Sequence, residues 1–210
     1  MGMLQVMVER VKVASVAGVL LASLVIPAQA QQFGPQQVIT TQVNWAVSVH
    51  AADLDGDGDQ DVLSASTDDD KIAWYENDGS GSFGSPQVIT GGADGAQSVY
   101  AADLDGDGDQ DVLSASSYDD KIAWYENDGS GSFGAQQVIT GSADRAKSVY
   151  AADLDGDGDQ DVLSASINDD KIAWYENDGS GSFGSQQVIT GGADDAWSVY
   201  AADLDGDGDQ

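Results

Sequence analysis

The chain has 210 residues, with 7 Lys and Arg against 37 Asp and Glu, one His and no Cys, for a formal net charge of −30. A surface this acidic repels phosphate backbones and anionic lipid, which excludes nucleic acid as a partner, and the lack of cysteine excludes disulfide staples. Acidity alone would suggest disorder, yet 41% of the residues are hydrophobic and fall in strand-length runs, so order that depends on a bound cation fits better.

The N-terminus is basic through Arg10 and Lys12, continues as an apolar run from Val13 to Ile26, and ends in Pro27-Ala28-Gln29-Ala30. The apolar run is shorter than the about 20 residues that cross a bilayer. The small residues Ala28 and Ala30 suit a signal peptidase, so residues 1–30 are expected to be a signal peptide cleaved after Ala30. The product is then secreted, extracellular or at the cell surface, and not inserted in the membrane. Loss of Glu9, Arg10 and Lys12 with that segment takes the charge to −31.

Next comes a repeat. Asp-Leu-Asp-Gly-Asp-Gly-Asp-Gln-Asp stands at 53–61, 103–111 and 153–161, and a fourth copy runs to Gln210 without its last Asp. The period is 50 residues, and residues 51–90 differ from 101–140 at four of forty positions, so each unit must build the same structure. In the first unit the strand-like runs are Ala46 to Ala52, Asp61 to Ser66, Lys71 to Glu76 and Gln87 to Thr90, each bounded by Gly, Asp, Asn or Ser. Four short antiparallel strands in about 50 residues make one propeller blade, so the expected class is all-β. Ile72 and Trp74 fall on one face and Ala73 and Tyr75 on the other, a pattern suited to blades packed on both faces.

The acidic nonapeptide carries the chemistry. Asp53, Asp55, Asp57 and Asp61 occupy relative positions 1, 3, 5 and 9, with Gly56 and Gly58 between them to let the chain curl. Two carboxylates about 4 Å apart repel by on the order of 4 kcal/mol at an effective dielectric near 20, so a cation belongs between them. Hard oxygen ligands on a flexible loop select Ca²⁺, whereas Mg²⁺ demands a near-ideal octahedron and Zn²⁺ or Cu²⁺ would want His or Cys. Asp59, at position 7, would then give its backbone carbonyl while its side chain faces water. The metal set extends to Asp103, Asp105, Asp107, Asp109 and Asp111, to Asp153, Asp155, Asp157, Asp159 and Asp161, and to Asp203, Asp205, Asp207 and Asp209. An EF-hand is the competing reading, but its bidentate Glu at position 12 is here Ser64, and strand-like runs stand where its helices would be. An acidic solvated turn without metal is the bland alternative.

Ser48-Val49-His50-Ala51-Ala52 leading into Asp-x-Asp-Gly-Asp-Gly-x-x-Asp, then Asp61-Val62-Leu63, with Phe83-Gly84 later in the unit, resembles the FG-GAP or VCBS repeats of integrin alpha-chain heads and secreted bacterial proteins. The resemblance covers residues 33–210. It implies a β-propeller, usually seven-bladed, with calcium in the hairpin between the first two strands of each blade, held by Asp53, Asp55, Asp57, Asp59, Asp61 and their repeat equivalents. The Gly-Ala-Pro triplet of the family name is absent, which sets the chain apart from integrins. The expected units are a partial blade at 31–40, blades at 41–90, 91–140 and 141–190, and a partial blade at 191–210. Phe33-Gly34 to Thr40 matches the last strand of a unit. Since such units cannot close a ring, the chain is expected to be an open arc and a piece of a longer product.

Differences between the repeats gather at the end opposite the acidic loops. Trp45, Gly95, Arg145 and Asp195 occupy one equivalent position, Val47, Gln97, Lys147 and Trp197 another, and Asp68, Tyr118 and Asn168 a third. Trp45, Tyr118, Arg145 and Trp197 are candidate contacts for an extracellular protein or glycan, since aromatic rings anchor proteins and stack on sugars; drift at exposed positions is the competing reading. Trp74, Trp124 and Trp174 recur mid-strand and belong to the core between blades. The single His50 replaces a Tyr of the other units, a packing substitution rather than a base, and no nucleophile constellation or phosphate loop is present. The expected function is thus a non-enzymatic calcium-binding module for adhesion or ligand binding. The alternative is a calcium-rigidified structural or accessory domain.

Overall fold

The structure is a computed structural model that describes residues 35–204 and 206. The expected signal peptide, Phe33-Gly34, and Asp205, Asp207 and Asp209 of the fourth loop lie outside the described residues. The chain divides into a unit of residues 1–36 and one of 37–210, and among the described residues every strand lies in the second.

The first sheet holds β1 (Ala46–Ala52), β2 (Asp61–Ser66), β3 (Lys71–Tyr75) and β4 (Gln87–Thr90). The second holds β5 (Ala96–Ala102), β6 (Asp111–Ser116), β7 (Lys121–Tyr125) and β8 (Gln137–Thr140). The third holds β9 (Ala146–Ala152), β10 (Asp161–Ser166), β11 (Lys171–Tyr175) and β12 (Gln187–Thr190). Each sheet is antiparallel with its strands in sequence order, and the described residues contain no helix. This is the expected all-β architecture of repeated four-stranded blades in an open arc.

Leu63 pairs with Trp74 and Val62 with Tyr75 across β2 and β3, so large side chains stack in cross-strand pairs on both faces. Neither face has a core of its own. Leu63, Ala65, Ile72 and Trp74 of the first blade pack with Val99, Ala101, Val112 and Tyr125 of the second, and the same set recurs between the second and third. The core is therefore a series of interfaces between blades. Trp74 and Trp124 are buried there, as expected, whereas Trp174 is only half-buried because no complete sheet follows it. Gly131, at φ +75, sits so close to the Trp74 ring that a Cβ would collide with it, which locks the three-to-four turn of the second blade onto the first.

Identical sequence takes different structure where a neighbour is missing. Gln37-Val38-Ile39-Thr40 matches β4 and β8, yet it forms no strand, because no third strand lies beside it among the described residues. Residues 196–202 match β5 and β9 closely and likewise form no strand. They still dock, with Val199 N donating to Ser148 Oγ at 3.3 Å, as Val99 and Val149 donate to Ser48 and Ser98. β3 stops at Tyr75 rather than Glu76, because the next residue, Asn77, leaves the ladder to bind the acidic loop.

Val49, Val99 and Val149 occupy the same strand position but are 70%, 4% and 4% exposed. Val149→Ala is therefore expected to cost about 1–3 kcal/mol in urea unfolding, and Val49→Ala no more than about 0.5 kcal/mol. Equal losses would show that the blades do not stack as described.

Candidate metal centre

Each acidic loop is wound around its own first Asp. Asp53 accepts from Gly56 N at 2.8 Å and Gly58 N at 3.0 Å, and the second and third loops repeat both bonds. Gly56 and Gly58 have φ of 76° and 94°, the left-handed turn that the sequence demands. Asp57 accepts from Asp59 N at 2.8 Å.

The ninth-position Asp closes the site from beneath. Asp61 takes Leu54 N at 3.0 Å on one oxygen and Asn77 N at 2.8 Å on the other, so it joins the loop to the three-to-four turn. Asp111 and Asp161 do the same, and all three carboxylates are 0% exposed. Burial, reinforced by the charges of Asp105 and Asp107, pushes Asp111 up to about 7 against the pull of its two backbone bonds. Asp161 is raised by burial too, with Asp155 and Asp157 adding to the shift. Asp55 and Asp105 are also raised, first by desolvation and then by neighbouring carboxylates.

Carboxylate oxygens of Asp53, Asp55 and Asp57, of Asp103, Asp105 and Asp111, and of Asp153, Asp155 and Asp161 lie within 4.8 Å of one another. That is the span of two oxygens on opposite sides of an ion bound at about 2.4 Å. The donors are all oxygen, and among the described residues the ion pairs are Lys71–Asp69, Lys121–Asp119 and Lys171–Asp169, at the other end of the sheets. A buried carboxylate among carboxylates, with no cationic side chain against it, fits a metal ion or a proton and little else.

Positions 1 and 3 thus meet in every complete loop, joined by position 5 in the first and by position 9 in the others. At the seventh position the Asp59, Asp109 and Asp159 side chains are partly exposed and at the same time press on Gly79, Gly129 and Gly179, where a Cβ would not fit. Of the aspartates of the fourth loop only Asp203 is described, and it accepts from Gly206 N at 2.6 Å.

Two features escaped the sequence reading. One is a run of rings, His50, Tyr100, Tyr150 and Tyr200, with centroids 4.5, 4.7 and 4.6 Å apart along the successive blades. The other is the asparagine that follows the ninth-position Asp by 16 residues. It recurs in every unit, but among near-identical repeats recurrence singles out nothing.

At the opposite end, Trp45, Tyr118 and Trp197 are 70%, 64% and 64% exposed, and Arg145 is exposed as well. Trp45 and Arg145 hold φ of 58° and 60°, uncommon for residues with side chains. The Lys147 ammonium lies 4.9 Å from the Trp197 ring centroid.

The FG-GAP-like repeat model matches residues 53–114, 103–164 and 153–210, three overlapping copies spanning the loops and the sheets that follow them. The chain belongs to the FG-GAP-like repeat family. Among solved structures, this FG-GAP-like chain is similar to an Agrocybe aegerita lectin described as recognising non-reducing terminal N-acetylglucosamine, at 24% identity and a TM-score of 0.50. The match covers 70% of this chain and 38% of the lectin, and it shows a shared fold. The Photorhabdus luminescens Tc holotoxin pore matches at 23% identity and a TM-score of 0.42, over 67% of this chain and 7% of that one. A comparison with curated proteins gives no match at a significant level.

The raised carboxylates set a pH dependence for the metal-free protein. With Asp111 near 7 in the folded state and 3.8 as its ordinary value, the folded chain holds a proton that the unfolded chain has released. Its stabilising effect is complete below the ordinary value and lost as pH rises through about 7. In chelator, the thermal midpoint is expected to rise as pH is lowered from about 8 to about 6, and Asp111→Asn to flatten that rise. A midpoint that falls over this range would contradict the assignment.

Proposed function

We propose that this chain is a secreted calcium-binding β-propeller module that binds an extracellular glycan or protein. The observation that carries the calcium reading is the fully buried ninth-position Asp, both oxygens already taking backbone N–H groups and other carboxylates beside it. An all-oxygen donor set on a glycine-bearing loop suits Ca²⁺ better than Mg²⁺, which keeps its waters and its octahedron. Asp53, Asp55, Asp57 and Asp61 and their equivalents would supply side-chain oxygens, and Asp59 its carbonyl. The apolar segment before Ala30 supports secretion, into a compartment where millimolar calcium suits loops of this kind.

The rim opposite the loops supports the binding role. Tyr118 lies across Gly95, so close that a Cβ there would strike its ring. Where the first position carries Trp45 or Arg145, the residue equivalent to Tyr118 is Asp68 or Asn168. Each of the three complete blades thereby presents one large planar group, from one side or the other, a complement that unconstrained drift has no reason to keep. His50, partly buried against the Tyr100 ring in the place that Tyr holds in the other units, supports a packing role for that side chain.

Calorimetric titration of the protein with Ca²⁺ is expected to show about three sites in the 10⁻⁴ to 10⁻³ M range, with melting raised by calcium and lowered by chelator. No heat and a chelator-blind melt would leave the loops as plain acidic turns. On a glycan array or against extracellular proteins, binding is expected to fall about tenfold or more in Tyr118→Ala or Trp197→Ala. A ligand-free result with calcium binding intact would make the module a calcium-rigidified structural domain.

A further inference from the structure

The metal loops are wired to one another through the blade interfaces. Asn127 N donates to Asp111 Oδ1 at 2.8 Å, within its own blade. Its side-chain Nδ2 donates at 3.0 Å to Gln110 O of its own loop and at 2.8 Å to Leu54 O in the loop of the preceding blade. Leu54 lies between Asp53 and Asp55, and its N–H is held by Asp61 at 3.0 Å. Asn177 repeats the arrangement, holding Asp161, Gln160 O and Leu104 O, while Leu104 N is held by Asp111. One chain of hydrogen bonds thus runs from Asp61 through Leu54, Asn127, Asp111, Leu104 and Asn177 to Asp161.

Both asparagines are 1% exposed, so no water competes for these bonds. Asn77 makes the same bonds to Asp61 and Gln60 O in the first blade and is only half-buried, with no bond to another blade among the described residues. Backbone packs along the same line: Gly129 O lies 3.2 Å from where a Cβ of Gly56 would stand, and Gly179 O lies 3.0 Å from that of Gly106.

We infer that Asn127 and Asn177 are positioning residues that couple metal loops of adjacent blades, so that a cation in one loop raises the affinity of the loop in the preceding blade, and the reverse. The inference rests on the calcium reading above. A cation that draws Asp111 into its shell fixes the Asn127 backbone, and the Asn127 side chain then fixes the Leu54 peptide that spaces the first two ligands of the preceding blade's site. Part of the ordering cost of the second ion is met by the first, which is positive cooperativity. Linkage makes the effect reciprocal.

Calorimetric titration of the full chain with Ca²⁺ tests this. The wild type is expected to fill its loops with a Hill coefficient above one. Asp105→Asn, which weakens the second loop, is expected to weaken the calcium affinity of its neighbours as well, by about fivefold or more. Asn127→Leu is expected to abolish that cross-effect between the first and second loops, while Asn77→Leu, which loses only bonds within its blade, retains it. Independent filling in the wild type, or equal effects of the two asparagine variants, overturns the coupling and leaves calcium binding standing. Absence of any calcium heat overturns the calcium reading and the coupling with it. If Asn127→Leu does not fold, the wild-type isotherm and the reach of Asp105→Asn decide the question.

Discussion

A four-stranded sheet that is apolar on both faces cannot stand alone in water, and everything in this protein follows from covering those faces. The unit of stability is the interface between blades, as in other repeat architectures. Val49 and Val149, alike in sequence and strand position, differ from largely exposed to buried solely because one has a sheet in front of it. Polar bonds at both ends then fix how the sheets sit. At one end, Asp70 accepts Ala93 N through its carbonyl and Gly95 N through its carboxylate, tying the second-to-third turn of the first blade to the segment that enters the second. At the other, Asn127 and Asn177 reach back to the preceding loop.

Stacking brings a cost that the loops must resolve. A chain of net charge −30 repels itself when compact, and the repeat concentrates its carboxylates at one end of every sheet. Burial worsens the problem at Asp111 and Asp161, which lose water without gaining a cationic side chain. A bound divalent ion reverses the sign, since it turns mutually repelling groups into ligands of one centre. The module's rigidity and the proposed ion binding would then be one property, because the same Asp that would take the ion also holds the three-to-four turn that packs on the neighbouring blade.

Much of this was legible in the chain itself. The period, the strand limits to within a residue, the antiparallel order and the tryptophans between blades all follow from a pattern repeated with almost no variation. Sequence reasoning failed where identical residues meet different neighbours. Residues 37–40 read as a strand because β4 and β8 are strands, but extended backbone without a partner has nowhere to place its hydrogen bonds. The roles of Asn127 and of the seventh-position Asp were hidden for a different reason. Their contacts cross between loops and blades, and a pattern that repeats everywhere marks no residue as special. The variable rim posed the opposite difficulty, since its changes look arbitrary position by position. Only the approach of Tyr118 to Gly95 links two of those positions in space.

The two ends of each blade obey different constraints for a reason visible in the packing. At the loop end, a change in one blade disturbs two, because Leu54 and Gly56 touch the turn of the next sheet and Asp61 braces its own. At the rim, Trp45, Tyr118 and Arg145 project into solvent from turns already secured by backbone bonds such as Thr67 N to Trp45 O at 3.1 Å and Ser117 N to Gly95 O at 3.1 Å, and Trp197 is exposed just beyond the equivalent turn. Their side chains are therefore free to change without loosening the frame. Coupled metal loops would strengthen that division, since each ion that stiffens the fixed end holds the rim residues of adjacent blades at constant spacing. On the proposed reading, a rim that carries different planar groups on a frame of constant spacing would serve ligand recognition, because diversity is gained without losing geometry.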